Sequence, residues 1–150
     1  MKLFYFLDFI HVKNYGSPVT NDCYINLEHG PIPTTIKNLV DSVDNDIDNA
    51  VLSDVIKINK IDGENMHRVE GLRNFSERDA GYLSDNQIKI LKKICIRFGD
   101  SNMREIEKAA HEETPWRETS LLDKIPYSLA AKDDDCLVEE ETIKLLSDVE

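Results

Sequence analysis

The sequence predicts a mainly α-helical domain (α+β) with a small β element, and three patterns support that prediction. Apolar residues recur at helical spacing along most of the chain. Two short segments, near residues 22–28 and 55–70, instead alternate apolar and polar side chains as strands do. Glycine and proline turn signals separate these segments. With 150 residues, 41% hydrophobic and 31% charged, the composition is that of one globular domain over residues 1–150.

The first predicted helix covers about residues 2–14 and is apolar on nearly every side. Leu3, Leu7 and Ile10 fall at helical spacing, and phenylalanines occupy positions between them. A helix this apolar must be enclosed by the rest of the fold. Asp8 interrupts the run, which is also too short to cross a membrane, so we expect neither a signal peptide nor a membrane anchor.

Residues 15–33 predict a tightly fixed loop that contains a short strand. Gly16 can adopt the positive φ that ends a helix, and Gly30-Pro31 forces a second turn. Between these turns every second residue is apolar, which predicts a strand at about residues 22–28.

A second helix is predicted to begin near Pro33. Its apolar face consists of Ile36, Leu39, Val40 and Val43. The acidic segment 41–54 is either the solvated end of this helix or a loop. Residues 55–70 then predict a hairpin that turns at Asp62-Gly63.

The next predicted helix has clear boundaries, because Ser84 and Gln87 match a capping box and Gly99 follows the last apolar position. Its shared apolar face is predicted to be Ile88, Leu91 and Cys95. A shorter helix follows, broken by Pro115-Trp116. Its inward residues are predicted to be Met103, Ile106 and Ala110.

An acidic helix is predicted at the C-terminus, over about residues 133–150. Asp133, Asp134 and Asp135 would stand at its start, where a helix favours negative charge. Its apolar face is predicted to contain Val138, Thr142, Leu145 and Val149, with Leu146 beside them.

The net charge of −11 lies entirely in residues 41–150. This balance makes nucleic-acid binding an unfavoured function, because affinity for DNA depends on basic side chains that neutralise phosphates. It favours a basic protein partner, or else an acidic surface that only keeps the domain soluble. The three cysteines are far apart with no C-x-x-C, so we expect reduced thiols and a cytoplasmic protein.

The sequence predicts no catalytic, cofactor-binding or metal site, and therefore not an enzyme. The histidines lack the i, i+4 pairing of a helical metal site, and no phosphate-binding loop or nucleophile elbow is present. One alternative is a hydrolase centred on His111 and Glu112. The remaining candidates for binding are polar-tipped aromatic residues, which serve either as interface anchors or as half-buried core residues. They are Tyr15, Tyr24, His29 and Trp116.

The chain resembles the Panacea, or SocA-like, domain of prokaryotic antitoxins over about residues 2–117. The matching residues of the first block are Lys2-Leu3-Phe4-Tyr5-Phe6, Asp8, Tyr15-Gly16, Pro18-Val19-Thr20, Asp22, Tyr24 and Gly30-Pro31-Ile32-Pro33. Those of the second block are Leu83-Ser84, Ile88, Leu91, Phe98-Gly99-Asp100, His111-Glu112 and Pro115-Trp116. Two departures are a missing helix before the first block and one extra residue between histidine and tryptophan in the second. We therefore expect one of three explanations for the missing helix: the product is a short form, it uses a different start codon, or a partner supplies the first helix.

The resemblance implies a non-enzymatic antitoxin that neutralises a toxin encoded by a neighbouring gene, by direct binding or as an adaptor that delivers the toxin to a protease. We hypothesise that residues 15–33 and 111–116 form one partner-binding face. Its predicted residues are Tyr15, Asp22, Tyr24, His29, Pro31, His111, Glu112 and Trp116. The alternative function is a phage-associated or DNA-binding transcriptional regulator.

Overall fold

A computed structural model of the chain describes residues 1–60 and 67–147. Within them the fold is mainly α-helical with two small antiparallel sheets, which confirms the predicted fold class. In chain order the elements are α1 (Lys2–Tyr15), β1 (Tyr24–Ile25), β2 (Ile32–Pro33), α2 (Thr34–Asn45), β3 (Ile56–Lys60), β4 (His67–Gly71), α3 (Glu77–Ala80), α4 (Asp85–Phe98), α5 (Met103–Glu112), α6 (Thr114–Arg117), a 3-10 helix (Tyr127–Lys132) and α7 (Glu140–Ser147).

The chain divides into two compact units. The helical unit combines Met1–Thr34 with Leu83–Glu150, and the hairpin unit is Thr35–Tyr82. The assignment of all 150 residues to one domain stays a prediction. In the part of the chain that the structure describes, no helix is long and apolar enough to cross a membrane.

Helix α1 forms the centre of the helical unit, as its apolar sequence predicts, although two apolar side chains of its first turn are exposed. Every residue from Tyr5 to Lys13 is buried, and the rings of Tyr5 and Phe9 lie 4.3 Å apart. Gly16 ends the helix with φ of 84°, and its N–H donates to the carbonyl of Val12 at 2.8 Å. A left-handed residue at this position favours glycine because it has no Cβ.

Strands β1 and β2 form an antiparallel pair in which Tyr24 lies opposite Pro33. The predicted strand is thus confirmed, although it is only two residues long. The buried side chains of this segment are Asp22, Tyr24 and Asn26, while the apolar residues between them are half-buried. Polar groups can occupy the inner face because each forms hydrogen bonds inside the unit.

Helix α4 begins with the predicted capping box of Ser84 and Gln87, but its buried face differs from the predicted one. The buried residues are Ile90, Ile94 and Phe98, whereas Cys95 is exposed. The ring of Phe98 lies 4.6 Å from that of Phe6 in α1, and this contact sets the rotation of the helix.

Helix α5 buries Ala110, as predicted, but Met103 is 51% exposed, so its predicted inward position is wrong. Met103 is the first helical residue and lies too near the helix end to be covered. Helix α5 ends at Glu112, and Glu113 separates it from α6. Pro115 lies in the first turn of α6, where a missing N–H is tolerated.

The C-terminal helix α7 begins at Glu140, so the predicted start near residue 133 is wrong. Asp133 and Asp135 do not cap it; they form ion pairs with Lys13. Helix α7 buries Ile143 and Ser147 while Leu145 is 76% exposed, so the predicted apolar face was also misplaced. Val149 lies outside the described residues.

The hairpin unit contains the predicted second helix and hairpin. Helix α2 follows Pro33 directly and ends at Asn45, so most of the acidic segment 41–54 forms turns rather than helix. Strands β3 and β4 pair antiparallel from Ile56 opposite Gly71 to Lys60 opposite His67. The predicted Asp62-Gly63 turn lies outside the described residues.

Candidate partner-binding surface

Asp8 organises the loop that follows α1, although its side chain is fully buried. Its carboxylate accepts hydrogen bonds from the backbone N–H groups of Val19 and Thr20, at 2.8 and 2.7 Å. It also accepts from the hydroxyls of Tyr24 at 2.8 Å and Tyr127 at 3.3 Å. Burial, and then the charge of Asp8, raises the pKa of both tyrosines, so both remain neutral donors. Tyr24 is therefore a core residue that holds the loop.

A buried cation joins the start of the chain to its end. The ammonium of Lys13 lies 2.5 Å from Glu113, 2.9 Å from Asp133 and 3.0 Å from Asp135. Burial alone would lower the pKa of Lys13, but its hydrogen bonds to Glu113 and Asp133 outweigh that effect and raise it. Asp133 also accepts the N–H of Thr114 at 3.0 Å, which satisfies an orphan donor at the start of α6. The cluster thus fixes the position of α6.

The two blocks of the predicted face meet at Trp116. The rings of His111 and Trp116 stack with centroids 3.8 Å apart and planes 15° from parallel. The indole N–H of Trp116 donates to the carbonyl of Leu27 at 3.3 Å. His29, which follows soon after, lies 3.3 Å from Glu107 in α5. Residues 27–30 and 107–116 therefore share one side of the helical unit.

Gly30 permits the turn at residues 27–30 to approach Lys2 and His111 closely. Its φ is +108°, and a Cβ built on it would lie 2.8 Å from Cε of Lys2 and 3.8 Å from Nε2 of His111. A larger residue would be strained in its backbone and would displace the lysine side chain. The turn before β2 therefore requires glycine at this position.

Asn26 is 4% exposed and anchors the loop after α6. Its side-chain amide donates to the carbonyls of Trp116 at 3.0 Å and Thr119 at 2.6 Å. Its backbone carbonyl accepts the N–H of Leu122 at 2.8 Å, and its N–H donates to the carbonyl of Asp123 at 2.9 Å. The side chain of this one buried residue thus holds the start of a short exposed loop, and its backbone holds the end.

That loop presents two adjacent leucines to solvent. Leu121 is 60% exposed and Leu122 is 69% exposed. Leu122 has φ of 71°, a left-handed conformation that is uncommon for leucine and that persists only where the surroundings enforce it. We call the exposed apolar region around it the leucine surface. It consists of Leu27, Ile32, Trp116, Leu121 and Leu122.

Two adjoining grooves run across the leucine surface, with volumes of about 430 and 290 Å³. Glu28 and Leu121 line both. Among the described residues, Glu28 forms no ion pair, so its carboxylate is available to a basic group. Arg117 also lines the second groove, where its guanidinium donates a hydrogen bond to the hydroxyl of Thr114 at 3.1 Å. The arrangement combines apolar anchors with charged side chains, which is suited to binding a protein.

The other predicted site residues lie in different environments. Asp22 and Pro31 are buried and line neither groove of the leucine surface. Tyr15 packs against His11 with ring centroids 4.8 Å apart and lines a separate groove beside α4. Glu112 points to solvent, 4.0 Å from Lys108. Buried residues do not contribute to an exposed surface, and partner binding by the predicted set stays a prediction.

The hydrolase alternative centred on His111 and Glu112 stays a hypothesis. Its Nε2 is buried and has no hydrogen-bond partner, and no hydrogen bond joins it to Glu112 among the residues described. Within residues 1–60 and 67–147, no group of three metal-ligating side chains comes together.

Sequence reasoning missed the leucine surface and the Lys13 cluster. The only local signal for the first was Ser-Leu-Leu-Asp at residues 120–123, two adjacent leucines outside any helical periodicity. The Lys13 cluster has no local signal, because Lys13 and its partner Glu113 are 100 residues apart in the chain.

Comparison with known proteins identifies the family of the domain that carries the leucine surface. A family model described as antitoxin SocA-like, Panacea domain, matches residues 1–117. The chain belongs to this antitoxin family. No curated protein and no solved structure matches it significantly. The Panacea match covers the His111–Trp116 stack and ends before Leu121, so the two exposed leucines lie just outside the matched segment.

Proposed function

We propose that this Panacea domain is a non-enzymatic antitoxin that neutralises a basic cognate toxin by binding it through the leucine surface. The observation that carries the proposal is the exposed pair Leu121 and Leu122, held in place beside the His111–Trp116 stack. Exposed apolar side chains on a fixed backbone lose little entropy on binding, so they are effective anchors.

Charge supports a basic partner. The chain carries a net charge of −11, and Glu28 lies between the two grooves of the leucine surface. Complementary charge mainly accelerates encounter, so the rate of association with the toxin should fall as salt is raised. A rate that does not change with salt would remove charge steering from this proposal.

The decisive test uses substitutions that remove the leucines without disturbing the loop. Leu122→Asn keeps a residue that tolerates the left-handed conformation, and Leu121→Ser shortens an exposed side chain. We expect the double variant to lose rescue of growth when the toxin of the neighbouring gene is expressed. The unfolding free energy should change by no more than about 0.5 kcal/mol, because both positions are exposed.

Leu137 provides a matched control, since it is 78% exposed and lines neither groove. The variant Leu137→Asn should still rescue growth. Full rescue by the double variant, with the protein folded and expressed at the normal level, would disprove binding through the leucine surface. Co-purification of the toxin with each variant separates loss of binding from loss of a later step, such as delivery to a protease.

A further inference from the structure

We propose a second docking site on the helical unit, which binds an acidic amphipathic helix of another protein. It is the groove between the end of α1 and the exposed face of α4, with a volume of about 390 Å³. We call it the lysine groove. Its lining residues are Asn14, Tyr15, Lys89, Ile90, Lys92, Lys93 and Ile96.

The lysine groove has the opposite charge to the chain as a whole. Helix α4 contains the cations Lys89, Lys92, Lys93 and Arg97 and the single acid Asp85, in a chain of net charge −11. A concentration of one sign in a chain dominated by the other produces a local attractive potential for acidic groups.

The three groove lysines are available to a ligand. All three are exposed, and among the described residues none lies within ion-pair distance of a carboxylate. Arg97 is different, because its guanidinium lies over the rings of Phe6 and Phe98, at 5.2 and 4.6 Å from their centroids. Arg97 therefore packs on the aromatic core, whereas the charges of the three lysines are exposed to solvent.

Apolar side chains accompany the lysines at matching spacing. Ile96 is 85% exposed and lies seven residues after Lys89, two turns along the same side of α4, a distance of about 10 Å. Ile90 and Tyr15 line the groove beside it. A helix with leucines on one face and glutamates flanking them would satisfy both the apolar and the cationic groups.

A protein suits this groove better than a nucleic acid does. Nucleic-acid sites rely on many cations and on aromatic platforms for the bases. Here there are three exposed lysines, and the apolar lining is mostly aliphatic. We therefore assign the groove to an acidic protein segment.

The lysine groove and the leucine surface have no residue in common. This step rests on the proposed function: with a toxin bound at the leucine surface, the residues of the lysine groove remain available to a third protein. Because the two sites are separate, loss of one should leave binding at the other intact.

The test is a fluorescence-anisotropy titration of the full chain with a labelled amphipathic peptide of about 14 residues, long enough to form a helix on the groove. The peptide carries leucines at i, i+4 and i+7 and glutamates on the flanking positions. We expect the variant K89Q/K92Q/K93Q to bind this peptide at least about tenfold more weakly, the equivalent of about 1.4 kcal/mol. Ile96→Ser should also weaken binding.

The control variant K57Q/R68Q/R78Q removes the same charge from exposed positions of the hairpin unit and should bind normally. A peptide with lysines in place of the glutamates should not bind. Growth rescue by the K89Q/K92Q/K93Q variant should equal that of the wild type, which separates this site from the proposed antitoxin function.

Three results would overturn the proposal. The first is no measurable binding of the acidic peptide to the wild-type chain. The second is equal loss of affinity in the two triple variants, which would indicate a nonspecific charge effect. The third is tighter binding of a single-stranded thymidine oligonucleotide than of the peptide, which would assign the groove to nucleic acid.

Discussion

The helical unit and the hairpin unit bury their side chains to very different extents. The helical unit encloses residues 5–13 of the aromatic helix α1 and satisfies buried charges such as Asp8 and Lys13 with internal partners. In the hairpin unit, only Val43 and Ala50 are buried among the described residues, and every residue of β4 is exposed. The helical unit should therefore carry most of the unfolding free energy, and the hairpin unit should depend on local turns and caps.

The largest expected difference in unfolding free energy is between alanine substitutions of two phenylalanines. Phe9 is completely buried in α1, whereas Phe75 is 60% exposed in the hairpin unit. We expect Phe9→Ala to lower the unfolding free energy by about 3–5 kcal/mol, the usual cost of an aromatic cavity. Phe75→Ala should change it by no more than about 0.5 kcal/mol. Urea unfolding measures both, and equal effects would show that the comparison is wrong.

The next largest difference is between two lysines. Lys13→Met should cost about 3 kcal/mol, because it leaves the carboxylates of Glu113 and Asp133 together without their buried cation. Lys37→Met removes only an exposed i, i+4 pair with Asp41 and should cost no more than about 0.5 kcal/mol. A Lys13→Met protein as stable as the wild type would show that the cluster is neutral in energy.

Alkaline pH should weaken the helical unit through its buried tyrosines. Burial raises the pKa of Tyr5, Tyr24 and Tyr127 above the ordinary 10.0, so only the unfolded chain ionises there just above that pH. The contribution of these tyrosines to the unfolding free energy is complete below pH 10.0. It is lost as the pH rises towards their pKa values in the folded chain. Tyr127→Phe should reduce the slope of unfolding free energy by about 1.4 kcal/mol per pH unit in that range.

The control for this pH experiment is Tyr82→Phe, at a position that is 79% exposed in the hairpin unit. It should leave the slope unchanged. Denaturant unfolding in steps above pH 10.0 provides the measurement, and an unchanged slope in Tyr127→Phe would contradict the role of the buried phenol.

The smallest expected effect compares two helix caps. Ser84 caps α4 in the helical unit and Ser76 caps α3 in the hairpin unit, each in a capping box. Ser84→Ala should lower the global unfolding free energy by about 1 kcal/mol. Ser76→Ala should leave it almost unchanged and increase hydrogen exchange only near α3. Equal global losses would show that the hairpin unit is as firmly held as the helical unit.

Local features could be predicted from the sequence, because their causes lie within a few residues. Helix α1, the Ser84 capping box and the β3–β4 pairing all follow from periodicity or turn chemistry. The same reasoning assigned the wrong face to α4, because the contact between Phe98 and Phe6 sets its rotation. Distant packing decides which of several apolar stripes is buried.

Features set by distant charges could not be predicted. Asp133 and Asp135 were assigned to a helix start, but Lys13, about 120 residues earlier, binds both. The hypothesis of one face over residues 15–33 and 111–116 came from family resemblance. The structure brings His29 and Trp116 to one side, but it buries Tyr24 and places Tyr15 in a separate groove. The leucine surface was not foreseen, since the loop that exposes Leu122 is held by the hydrogen bond that its N–H donates to the distant carbonyl of Asn26.

The hydrogen bond that Tyr127 donates to Asp8 has a consequence for synthesis on the ribosome. These residues are separated by 119 positions, so the most apolar helix of the chain is made long before one of its buried partners. At 5–20 residues per second, that interval is roughly 6–24 s. During it, the aromatic side chains of α1 cannot be fully covered by this chain. The nascent protein should therefore depend on a chaperone that shields its first helix until translation has passed Tyr127.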